Sequence, residues 1–200
     1  MGFLGGIMQL EIIDYSQNAL DNIVRAGRNC YQSKSRGYEE DVKLVKALIK
    51  SQHLSPIEFG WAMFHVKGIS RACADQLRTH RLLSFTMMSQ RFVDISEQEF
   101  IHPFSALELA GESVKAMEKS QKNFYKLLVK NGIPKEDARM YIGMGMATEV
   151  YFACNFRELR HILELRLDKH AQEEIRKLAK GIYDIVDQRW SWLLVGIKVD

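Results

Sequence analysis

Three arginines, a histidine, two serines and two threonines fall within residues 76–92, QLRTHRLLSFTMMSQRF, and no acidic residue interrupts them. They are Arg78, Arg81, Arg91, His80, Ser84, Ser89, Thr79 and Thr86. The planar guanidinium fork matches a phosphate. Hydroxyls and backbone N–H groups supply neutral donors around it. The stretch suits an anionic ligand. Composition alone fits a solvated basic helix end better, so the decision rests on the order of residues across the chain.

Three further clusters could do chemistry. His53, Ser55 and Glu58 surround Pro56 and also read as a helix cap and turn. Arg139 is a lone arginine in an apolar neighbourhood after Glu136 and Asp137, and also reads as their ion-pair partner. Asn155, Arg157, His161 and Arg166 form the third, in which Arg157, His161 and, roughly, Arg166 can share one broad helical face, which also reads as a solvated face. The chain has no GxGxxG, Walker, HExxH or GxSxG motif, which argues against a conventional nucleotide fold and a covalent hydrolase. None of the six histidines makes a metal-ligand spacing with a second His or Cys. Cys30, Cys73 and Cys154 are odd in number and form no CxxC, which points to a reducing compartment and away from disulfides and zinc. Cys73 and Cys154 sit among apolar residues and read as packing residues.

These residues need elements to position them. Two hundred residues, 46% hydrophobic and 26% charged, fit one soluble domain spanning 1–200. A net charge of +3 is too mild for a nucleic-acid binder and suits a small anion. No apolar run reaches membrane-span length. Residues 1–7 are too short and too neutral for a signal peptide; they read as a leader or expression scar and receive no role, and the cytoplasm is the default location.

Alternation predicts a strand at 9–15, and Ser16 is expected to cap a helix from 17 to about 30. A polar loop at 32–38 leads to a helix at 39–50, which Pro56 separates from a strand at 59–67 ended by Gly68. Ser70 is expected to cap a helix running towards His80, so residues 76–92 form that helix's end and a following loop. Residues 92–101 read as a short strand or irregular. Helices are expected at 107–130, at 135 to about 141, after a cap at Asn155, and from 170 to about 188; a strand is expected at 147–154. About six helices and a few strands, without regular βαβ alternation, predict an α+β fold.

The spaced motifs carry a resemblance. His80-Arg81, seven residues, then Ser89 resembles the signature of the flavin-dependent thymidylate synthases, RHR followed by seven residues and S. Gly68-Ile-Ser-Arg-Ala-Cys73 leads in similarly, and Ser89-Gln-Arg-Phe92 resembles the family's S-x-R-Y. His53-x-Ser55-Pro56-x-Glu58, Ala138-Arg139, Asn155-x-Arg157, Arg166, His170-Ala-Gln172 and Glu174-Ile175 follow in family order. Three positions depart. Thr79 replaces the first arginine, Thr86-Met87 stand where many members have Asn-Glu, and Glu173 replaces a usual tryptophan.

The resemblance implies a small mixed or antiparallel sheet flanked by helices in an obligate homotetramer, with active sites shared between subunits. It implies methylation of dUMP to dTMP with 5,10-methylenetetrahydrofolate, FAD as the reducing cofactor and NADPH to regenerate it, with neither nucleic acid nor membrane as a partner. It places Gln76, Thr79, Ser89, Gln90, Arg91, Arg139 and Arg166 at dUMP, with Arg166 stabilising charge on the uracil ring. It places His53, Ser55, Thr79, His80, Arg81, Met87, Asn155, Arg157 and His161 at FAD. Because Thr79 breaks the signature, a flavin- or nucleotide-binding relative with lost or altered uracil C5 modification is the alternative.

Overall fold

The computed structural model describes residues 2–4 (backbone), 8–29, 32, 34, 35 and 37–199. Cys30, where the first helix was expected to end, and most of the segment 1–7 lie outside the described residues. Two long strands, β3 (Trp61–Ser70) and β5 (Ala147–Asn155), pair antiparallel from Trp61↔Asn155 to Ser70↔Ala147. The remaining strands are β1 (Gly2–Leu4), β2 (Met8–Tyr15) and β4 (Ser84–Met87). The sheet is antiparallel in the order β1-β2-β3-β5-β4. Strand residues of period two bury one face: Ala62, Phe64 and Val66 are fully buried, and Phe64 stacks on Phe152 at 5.1 Å.

Seven helices complete the described fold: α1 (Ala19–Asn29), α2 (Tyr38–Lys50), α3 (Arg71–Arg78), α4 (Phe104–Lys130), α5 (Lys135–Ala138), α6 (Phe156–Arg166) and α7 (Glu173–Trp190). The main core joins the sheet to α1, α2, α3, α6 and α7. A smaller core of Ile95, Phe100, Tyr125, Ala138 and Met146 anchors α4. The architecture is the expected α+β single domain with an antiparallel sheet.

Several boundaries differ from expectation for physical reasons. Ser16 does not cap α1; its hydroxyl accepts from Trp61 N at 3.1 Å and joins β2 to β3. Residues 55–59 form a 3-10 turn, and Gly68 does not end β3; its φ of 69° makes a bulge through which pairing continues to Ser70. Ser84–Met87 is a strand rather than loop, because β5 offers it an edge. The helix expected at 135–141 is a single α turn followed by a 3-10 turn, Arg139–Tyr141. The last helix starts at Glu173, since Asp168 binds the backbone N–H of His170 at 2.8 Å and holds a turn there.

Phe156 is fully buried, its ring 4.6 Å from that of Trp190, and it lies against Gly60. A Cβ on Gly60 would run into three carbons of that ring. Gly60→Ala is therefore expected to destabilise the protein by about 1–3 kcal/mol, as overpacking does. Urea denaturation checks this, and an unchanged midpoint would show that the ring moves aside freely.

Candidate active site

α3 and α6 leave the sheet at opposite ends and converge at their C-termini. Each starts on a side-chain cap: Ser70 Oγ accepts from Cys73 N at 3.0 Å, and Asn155 Oδ1 accepts from Glu158 N at 2.9 Å. Glu174 at the start of α7 fixes the first, accepting from Ser70 N at 2.6 Å and Ser70 Oγ at 2.5 Å. Gln76 donates to Gln172, which ties the middle of α3 to the same region.

At the convergence, Arg166 donates three hydrogen bonds. Nε reaches His80 Nε2 at 3.0 Å, and Nη2 reaches Gln76 O at 3.0 Å and Thr79 Oγ1 at 3.1 Å. Thr79 Oγ1 also donates to Gln76 O at 2.7 Å. His80 is buried, with Nδ1 3.3 Å from Glu158 Oε1 and its ring 5.7 Å from that of His161. Burial, then the charges of Arg166 and His161, lower its pKa from 6.5 to about 4, so the imidazole is neutral near pH 7.

A second cationic group lies at the other end of α3. Arg71 occupies the first helical position, its Nη1 buried without a hydrogen-bond partner. Its pKa is lowered by burial, with Arg139 and Arg78 acting in the same direction and Asp75 against. Arg139 donates from Nε to the carbonyl of Glu136 at 3.1 Å, while the Glu136 carboxylate pairs with Arg91 at 3.0 Å. The acid beside Arg139 thus serves Arg91 instead. Ser89 Oγ accepts from Arg91 N at 3.3 Å, and Gln90 is buried with its amide towards Met146 Sδ.

The other expected residues are placed differently. Asn155 spends its side chain on the α6 cap, and Arg157 pairs with Glu58 at 2.7 Å. Met87 packs against the main core. His53, Ser55 and Arg81 are exposed, and no side-chain hydrogen bond among the described residues joins them to the Arg166 cluster. Burial drives the pKa of Cys73 and Cys154 well up, so neither thiol is a nucleophile at neutral pH.

Arg71 and Glu158 were given no role by sequence reasoning. Arg71 carried a signal: a cation in the first turn of a helix opposes the helix dipole and needs a reason. Glu158 carried a misleading one, since Asn-x-x-Glu reads as a capping box.

A family model described as "Thymidylate synthase complementing protein" matches residues 11–190. Similar proteins named "Flavin-dependent thymidylate synthase" occur in Pyrococcus abyssi (31% identical; 92% of this chain, 80% of the relative) and Thermotoga neapolitana (30%; 92% and 87%). Another occurs in Sulfolobus acidocaldarius (33%; 90% and 72%). The chain belongs to the flavin-dependent thymidylate synthase family.

His80 generates a pH dependence. Its folded-state pKa is depressed, so between about 4 and 6.5 the unfolded chain binds more protons than the folded one. Its contribution favours the fold above pH 6.5 and is lost as pH falls to about 4. Urea midpoints for wild type and His80→Gln should converge over that window; parallel curves would exclude it.

Proposed function

We propose that this protein methylates dUMP to dTMP in the cytoplasm, as a homotetramer that takes its methylene group from 5,10-methylenetetrahydrofolate and uses FAD with NADPH as reductant. The observation that carries the reading is the arrangement of cations along α3. Arg166 stands at its C-terminal end and Arg71 and Arg139 at its start. Eight helical residues span about 12 Å, comparable to a nucleoside monophosphate from base to phosphate.

The residues fit such a ligand. The buried, unpartnered Nη1 of Arg71 is the kind of donor that an anion satisfies, and Arg139 adds charge beside it. Ser89, Gln90 and Arg91 supply the phosphate loop; the exposed Arg91–Glu136 pair is weak enough to exchange for phosphate. Arg166 has two Nη1 donors uncommitted among the described residues, which suit negative charge on the uracil ring. The residues that would line a flavin are His53, Ser55, Thr79, His80, Arg81, Met87, Asn155, Arg157 and His161, with Arg81 and Arg157 supplying exposed cations. A bound reduced flavin supplies the hydride. The protein's own part is to orient the uracil, exclude water and hold Arg166 in place.

Assembly is supported by exposed apolar residues near these loops, with Phe92 77%, Met140 78% and Phe104 69% exposed. A stable monomer in sedimentation that still turns over would overturn the tetramer.

The test is tritium release from 5-tritiated dUMP with flavin, methylenetetrahydrofolate and NADPH. Arg166→Ala is expected to lower kcat by about 100-fold or more. Arg71→Ala is expected to raise the KM for dUMP by about 10-fold, the loss of one charge-assisted hydrogen bond. Flavin and dUMP binding without tritium release would instead identify a relative that has lost methylation.

A further inference from the structure

Glu158 is a buried carboxylate, 6% exposed, that the proposed chemistry leaves without a task. Removing such a charge from water is costly unless something compensates it. Its backbone N–H is already satisfied by Asn155, and its side chain turns towards His80 rather than back to the cap. His80 therefore stands between two charged groups, with Glu158 Oε1 3.3 Å from Nδ1 and Arg166 Nε 3.0 Å from Nε2.

A guanidinium only donates. Nε2 of His80 must accept and carries no proton, so a neutral ring keeps its proton on Nδ1, the side of Glu158. The opposite tautomer would set two N–H groups against each other at Nε2 and two lone pairs at Glu158. We infer that Glu158 is a positioning residue: its carboxylate holds His80 in the Nδ1–H tautomer, and His80 thereby fixes the guanidinium of Arg166. Thr79 Oγ1 and Gln76 O fix the other edge of that guanidinium, so all three anchors act on one plane. Loss of the His80 anchor frees the ring to turn. Arg166 would then pivot on Nη2 alone, and misplacement by about 1 Å lowers the rate by up to about 100-fold.

The catalytic consequence rests on the function proposed above; the tautomer does not. Nitrogen-15 NMR of the full chain without substrate should show His80 protonated at Nδ1 and bare at Nε2. Glu158→Ala should lose that preference, whereas Glu158→Gln should keep it, because the amide oxygen still accepts. In the tritium-release assay with flavin, Glu158→Ala should lower kcat by about 10–100-fold with the KM for dUMP within about threefold, and Glu158→Gln should recover most of the loss. A purely structural residue would lower thermal stability without moving the tautomer. A protonated Nε2 in wild type, or a Glu158→Ala variant that keeps both tautomer and kcat, would overturn the inference. If wild type releases no tritium, the proposed function fails, and the wild-type spectrum alone decides the role of Glu158.

Discussion

The register between β3 and β5 is the constraint on which the rest depends. Their pairing runs from Trp61↔Asn155 to Ser70↔Ala147, so the strand ends that become the caps of α3 and α6 lie at opposite ends of the strands. α6, about 16 Å long for its eleven residues, then runs back to finish beside the end of α3. A slip of one residue would put Phe64 and Phe152 on opposite faces of the sheet and separate His80 from Arg166. Burial of the phenylalanine pair therefore also sets the geometry of the polar cluster. The bulge at Gly68 belongs to the same device, since it absorbs an extra residue while keeping Ser70 opposite Ala147.

Charge is distributed unevenly around that framework. At the start of α3, Arg71 feels the repulsion of Arg139 and, from the helix's last residue, of Arg78, and Asp75 offsets part of it. At its end, Arg166 is linked through the neutral imidazole of His80 to the buried carboxylate of Glu158. The first group is exposed in part and gains from an added anion. In the second, His80 and Glu158 are buried, and between them each dipole acts through a low dielectric.

The sequence made local decisions legible and non-local ones not. Ser70 and Asn155 could be read as caps because the bond each makes lies three residues away. Ser84–Met87 could not be read as a strand, because its four residues owe their conformation to β5, more than sixty positions on. Ser16 fails as a cap for the same reason: Trp61, forty-five residues away, competes for its hydroxyl and wins. In the site, Arg166, His80, Gln76 and Arg139 stand out by motif. Glu158 does not, because its partner belongs to another helix and its local pattern suggests a cap. Thr79, which breaks the signature, proves to be integrated, its hydroxyl bonded on both sides.

That integration has a consequence for preorganisation. An arginine side chain carries about 2 kcal/mol of rotamer entropy. Arg166 gives much of it up when the chain folds, since three of its donor bonds form within the protein itself. An incoming ligand then meets a guanidinium plane that is already set, and the ordering it must impose falls on exposed partners such as Arg91. The free-energy cost of orienting the central cation is thus moved out of the encounter and into the native state.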